Sequence, residues 1–164
     1  MRRPMIYDKT LSSGLRFDRD VRLYKTNIKS YRKFLTLHNQ IFKTSQWYRF
    51  SYRFEVLLES VFMLKSRHFI VKDVRNNIIG IITLTEKRRD CIWIYNVGVV
   101  PGKRHQGYAI SFLSKVLLSY LDKPVKVCLT VNTNNNKAVN LYKKLGFKFL
   151  QRRHKNGCKE ERVI

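Results

Sequence analysis

Acid is what this chain of 164 residues has least of: Asp and Glu together number 11 against 34 Lys and Arg, for a formal charge of +23. A deficit of that size excludes a balanced, neutral surface and points to an anionic partner. AT-rich coding could inflate Lys, but Arg supplies 16 of the 34 cations, and AT-rich codons do not favour Arg. Cysteine is scarce as well. Cys91, Cys128 and Cys158 are odd in number, far apart and without metal-ligand spacing, so neither a disulfide framework nor a zinc site is expected. A reducing compartment fits this usage. No segment approaches the ~18 apolar residues of a membrane span, and the basic start Met1-Arg2-Arg3-Pro4 has no apolar run behind it. The expectation is a soluble, cytoplasmic protein. Internal repeats are also missing, which excludes a solenoid.

What remains is the composition of a folded domain. Hydrophobic residues make up 44% and aromatics 13%, too apolar for disorder even at this charge. The length suits one domain. Residues 1–20 are polar, lack periodicity and carry Ser12-Ser13-Gly14, so they read as an N-terminal arm, with a single domain over 21–164. Alternation predicts a strand over 21–25, and helical stretches follow over 28–42 and 50–65. Strand-like runs at 68–74, 78–85 and 91–100 are separated by Asn76-Asn77 and by the charged tip at residues 87–90, which predicts two hairpins. A helix over 106–121 ends at Asp122-Lys123-Pro124, and an apolar strand covers 125–131. A short helix over 137–145 has Gly146 at its left-handed C-cap position, and two last strands turn near Asn156-Gly157. This order gives an α/β mixed sheet with helices on its faces.

The segment richest in chemistry is Val97-Gly98-Val99-Val100-Pro101-Gly102-Lys103-Arg104-His105-Gln106-Gly107-Tyr108-Ala109, a strand that passes through a tight loop into a helix start. Such a helix end presents free N–H groups and the positive end of its dipole to an anion. Gly107 lets the backbone come close to a diphosphate, small Ala109 lets the helix pack near its strand, and Lys103 and Arg104 add charge-assisted donors. A glycine-containing strand-to-helix turn by itself is a common connector. The flanking residues decide the matter.

Val97-x-Val99-x-Pro101-x-x-Arg104-x-x-Gly107-x-Ala109 resembles the acyl-CoA signature of the GNAT N-acetyltransferases, whose centre is Arg or Gln-x-x-Gly-x-Gly or Ala. A second run, Leu129-x-Val131-x-x-x-Asn135-x-x-Ala138-x-x-Leu141-Tyr142-x-x-x-Gly146-Phe147, looks like the C-terminal motif of the same family. The two stand in the family's order on the expected elements. The resemblance covers residues 21–164 and is weak before about 68. It implies a GNAT-like fold, in which a twisted, mostly antiparallel sheet is splayed in the middle with helices on both faces. It also implies an enzyme that uses acetyl-CoA or another short acyl-CoA.

By that resemblance the diphosphate falls to Lys103, Arg104, His105, Gln106, Gly107, Tyr108 and Ala109, and the backbone at Val97 and Val99 pairs with the pantetheine arm as a further strand would. Valines in a central strand are as readily plain core. Tyr142 is the expected catalytic acid, a phenol that stays protonated to about 10 and can donate to the departing thiolate. Its place on the helix stripe is also that of a core residue. Asn135 suits either the cofactor or the helix cap. Single histidines such as His68 and His105 are more often structural than proton carriers, and neither is assigned that role. Trp93 stands where some protein-acetylating members have a Glu base, so a positive field that lowers the amine's pKa, with water near Tyr95 or Asn96, is the expected substitute.

Charge also bears on the acceptor. Polyamines and aminoglycosides are polycations that a +23 protein repels. Basic groups recur at residues 87–89, 143–144 and 152–155, and residues 45–54 interleave Arg with aromatics as base-stacking surfaces do, or as a lid over the acceptor pocket does. The expected acceptor is an amine on or associated with nucleic acid. Acetylation of protein N-termini or lysines, and a basic module that keeps the fold and binds nucleic acid without catalysis, are the alternatives.

Overall fold

In a computed structural model the protein is described over residues 1–43, 66–88, 90–155 and 158–163. The expected helix over 50–65 and the interleaved segment 45–54 lie outside these residues. Strands β1 (Arg2–Tyr7), β2 (Val21–Lys25), β3 (Ser66–Asp73), β4 (Ile78–Arg88), β5 (Cys91–Val99), β6 (Lys126–Asn132), β7 (Phe147–Lys155) and β8 (Cys158–Val163) form one sheet in the order β2-β3-β4-β5-β6-β1-β7-β8. Helices α1 (Ile28–Phe42), α2 (Tyr108–Leu118) and α3 (Asn136–Lys144) pack on it.

Each element has a local cause. Asn27 caps α1 through a reciprocal box with Ser30, and Phe34, Leu37 and Ile41 fall on one buried face against Ile70 and Ile81. The β3–β4 turn closes on Asp73, whose carboxylate accepts from the Asn77 amide at 2.8 Å while Asn76 takes φ 65°. Gly146, at φ 93°, ends α3 as its position after the apolar stripe predicts. On the opposite face from α1, helices α2 and α3 close the main core of Ile82, Ile94, Phe112, Leu113, Leu129, Tyr142 and Phe147. The helices thus stand on both faces of the sheet.

The N-terminal segment corrects the expectation of an arm. Residues 2–7 are strand β1, antiparallel to β6 (Met5 opposite Leu129) and to β7 (Met5 opposite Phe149), and Met5 is fully buried. Being central, β1 buries both faces: Met5 and Tyr7 enter the main core while Ile6 meets Cys128 and Leu150. Alternation therefore never appears in its sequence. Pro4 pairs only with Thr130, and β7 joins from Met5 onward, so the missing amide falls where β1 has one neighbour. Beyond it, Asp8 caps a short 3-10 turn and pairs with Lys148 at 2.9 Å, and the chain then crosses α2. The amides of Arg16 and Arg19 donate to the buried hydroxyls of Ser114 (2.9 Å) and Ser111 (3.0 Å).

Candidate active site

The site begins where two parallel strands part. β5 and β6 are in register from Cys91 opposite Lys126 to Ile94 opposite Leu129, and pairing stops there although β5 runs on to Val99 and β6 to Asn132. At the parting point β5 bulges. Ile81 pairs with Gly98 and Thr83 with Tyr95, so Asn96 and Val97 oppose a single residue of β4, with Asn96 in the left-handed region at φ 50°. Gly98 then lets α1 approach: a Cβ there would lie 2.5 Å from Ile41 Cγ2. Val97 and Val99 are half-buried against the main core, so both side chains pack as the core reading expects.

From Val99 the chain passes through a 3-10 turn at Pro101–Lys103 into α2. His105 (φ 61°) and Gly107 (φ 79°) are both left-handed, and Gly107 is the N-cap of α2 with no side chain bonded to the cap. The first helical bond is Ser111 N–H to Gly107 O at 3.1 Å. The amides of Tyr108, Ala109 and Ile110 precede it and emerge from the helix end. Left-handed residues beside an uncapped helix start form a concave donor set suited to a diphosphate, and this is the fit the structure offers for an acyl-CoA. Asp18 is the acidic neighbour: its carboxylate lies 3.8 Å from where a Cβ on Gly107 would stand.

The side chains of this loop hold the loop itself. Arg104 donates through Nε to Val99 O (3.1 Å) and through Nη2 to Ile41 O (2.9 Å), joining β5, the loop and the end of α1. Gln106 Nε2 donates to Gly102 O at 3.2 Å, and Arg19 Nε donates to Gln106 O at 3.0 Å with its guanidinium 5.7 Å from the Tyr108 ring centroid. Lys103 is half-buried, His105 is exposed and Tyr108 is buried. The structure thus gathers the expected segment at one place, with backbone donors foremost and Arg104 in a clamp that spacing could not reveal.

Tyr142 lies on α3, which packs on β6 and β7, with its ring edge-on to Phe147 at 5.8 Å. Burial pushes its pKa up to about 12, so it remains a protonated donor through the neutral range. Asn135 takes the capping role, its side chain accepting from Ala138 N–H at 3.2 Å. Trp93 stacks on Tyr95 at 6.2 Å on the same strand, and Glu86, on β4, is paired with Arg67 at 3.0 Å. His68 packs against the rings of Tyr31 and Phe34, with Nδ1 3.0 Å from Thr83 Oγ1. Sequence reasoning missed the polar seam under the bulge, where Thr83 contacts both His68 and Asn96. No cluster of His, Cys, Asp or Glu among the described residues could hold a metal ion, and no described helix is long and apolar enough to cross a membrane.

An uncapped helix start after a strand and loop, beside a parallel pair that parts, is the arrangement that the GNAT resemblance implies for an acyl-CoA transferase fold. Residues 32–147 match the model of the acetyltransferase (GNAT) family, and the chain belongs to that family. It is therefore an acyltransferase that uses acetyl-CoA and acetylates an amine. Among solved structures it is similar to a conserved protein of unknown function from Staphylococcus epidermidis (15% identity, TM-score 0.68), covering 90% of this chain and 57% of that one. It is also similar to spermidine N-acetyltransferase from Vibrio cholerae in complex with CoA and spermine (22% identity, TM-score 0.60, 82% of each chain). A chimera of that enzyme aligns at 20% identity and TM-score 0.63, over 86% of this chain and 90% of its own. Identities this low carry the fold alone. No curated protein matches by sequence.

Proposed function

We propose that this chain transfers an acetyl group from acetyl-CoA to a primary amine carried on nucleic acid or on a protein bound to it. The observation that carries the cofactor half is the uncapped, left-handed start of α2 at Gly107 beside the parted strands β5 and β6. The cofactor supplies an activated acyl group and a thiolate leaving group. Amides of residues 105–110 hold its diphosphate, with Lys103 adding charge and Arg104 fixing the loop from behind. Val97 and Val99 offer backbone groups to the pantetheine arm, and the gap excludes a competing strand. Tyr142, which burial keeps protonated, donates its phenolic O–H in a hydrogen bond to the departing sulfur and so stabilises the thiolate, which then takes its proton from solvent. With Trp93 at the family's Glu position, water near Tyr95 and Asn96 takes the amine's proton, aided by the positive field.

For the acceptor, 34 cationic against 11 acidic residues support a polyanionic carrier. The polyamine named for the Vibrio enzyme is not carried over, because a polycation approaching this surface is repelled. Incubation with labelled acetyl-CoA and separate RNA, DNA, peptide and polyamine pools tests the assignment. Label is expected in a nuclease-sensitive or nucleic-acid-bound fraction. Label confined to free peptide or polyamine, unaffected by nuclease and salt, would overturn the acceptor and leave the enzyme. In parallel, Tyr142→Phe is expected to lower kcat by about 10²-fold or more while the thermal shift given by acetyl-CoA persists. Undiminished turnover would remove the acid role from Tyr142.

A further inference from the structure

Two of the three cysteines that lie far apart in sequence meet across the strands that frame the gap. The parallel register places Cys91 opposite Lys126 and Trp93 opposite Cys128. Side chains two apart on a strand share a face, so Cys91 and Cys128 are diagonal neighbours on one side of the sheet. Their Sγ atoms are 3.4 Å apart. Ile6, Leu150 and Trp93 complete this cluster, in which Cys128 is buried and Cys91 is partly exposed.

The two thiols differ in reactivity. Its hydrogen bond with Cys128 holds the Cys91 thiol below its usual range and Lys126 assists, while burial and Asp90 oppose them. Cys91 is therefore the accessible nucleophile and Cys128 the enclosed partner.

We propose that Cys91 and Cys128 form a modification site, a dithiol that a small-molecule disulfide oxidises to an intrachain bond. The Cys91 thiolate attacks one sulfur of the oxidant, forming a mixed disulfide and expelling one thiolate. Cys128 loses its proton and attacks Cys91 Sγ, expelling the second. The protein dithiol gives up two electrons and two protons, and the oxidant leaves as two thiols.

Closing the sulfurs from 3.4 Å to about 2.0 Å draws together the two strands that carry them. Pairing of β5 with β6 ends at Leu129, the residue after Cys128. Oxidation thus pulls on the foot of the gap. That consequence rests on the proposed cofactor site, whereas the oxidation does not.

The test uses the whole chain, reduced and then exposed to oxidised glutathione, quenched in acid, alkylated, digested and weighed. A peptide pair joined through Cys91 and Cys128, two hydrogens lighter than its parts and released by dithiothreitol, is expected. Glutathione retained on Cys91 without a joined pair, or either thiol joined to Cys158, would overturn the site. Oxidised enzyme is expected to show a KM for acetyl-CoA raised on the order of tenfold, since a ~1 Å misplacement is costly to a positioned reactant. Joined peptides with an unchanged KM would overturn the link to the gap. A reduced enzyme that binds no acetyl-CoA would instead speak against the proposed function.

Discussion

Asp18 and the start of α2 show how one charge can act in opposite directions on stability and on binding. An acid near a helix N-terminus stabilises it by about 0.3–1 kcal/mol, and Asp18 is seated beside Gly107 in the free protein. The same carboxylate repels a diphosphate brought to those amides. Asp18→Asn is expected to lower Tm slightly and to raise acetyl-CoA affinity about threefold, the equivalent of about 0.6 kcal/mol. Paired melting and calorimetric titrations read both signs, and a loss of affinity would place the diphosphate elsewhere. His68 acts through pH. Burial brings its pKa down to about 4, against ~6.5 in an unfolded chain. Between those values the unfolded state binds more protons, so stability is full above about 6.5 and is lost as pH falls towards 4. His38 shifts in the same direction, first through burial, with Asn96's hydrogen bond opposing. Asp8, held at about 2 by its hydrogen bonds to Thr10 and Lys148, acts only in the window below its ordinary value. Melting curves across pH 4–7 are expected to show the histidine loss, and His68→Phe should flatten it.

Between elements, Arg104 is the joint. Its guanidinium binds carbonyls of Val99 and Ile41, so β5, the loop before α2 and α1 are fixed together by one side chain. Hydrogen bonds to charged groups contribute about 1.5–3 kcal/mol, and Arg104→Ala is expected to destabilise the fold by about 2 kcal/mol and to raise the KM for acetyl-CoA, with Arg104→Lys intermediate because a point charge cannot serve both carbonyls. A Tm equal to that of the parent would show that the clamp contributes little. This joint also marks how far the sequence could be read. The loop and its helix were legible because Arg104, Gly107 and Ala109 lie in one local run, and α1 was expected over 28–42, where the structure has it, although its cap at Asn27 and Ser30 went unread. The acceptors of Arg104, one of them 63 residues away, are set by packing and leave no local trace. Strand β1 escaped for a related reason: a central strand buried on both faces has no alternation, and Arg2, Arg3 and Pro4 read as an exposed arm.

At the scale of the whole molecule, surplus positive charge is the property that any binding partner meets first. A protein of +23 attracts acetyl-CoA and, under the proposed function, a polyanionic acceptor, and salt separates the two. Each phosphate neutralised on duplex DNA releases a counterion, so log K falls with log salt at a slope of about −0.9 per contact, and about −0.7 on single strands. A single cofactor, on the proposed backbone-amide site, presents few such contacts. If six or more phosphates are engaged, affinity between 50 and 200 mM salt is expected to drop by about 10³-fold or more for an unrelated duplex and by about 300-fold or more for a single strand, with acetyl-CoA affinity changing far less over the same range. Fluorescence anisotropy with labelled oligonucleotides and calorimetry with acetyl-CoA give the two slopes on one preparation. Shallow slopes for both would mean that the cations are dispersed over the surface without converging on a polymer, and the acceptor would then have to be sought among free peptides and small amines.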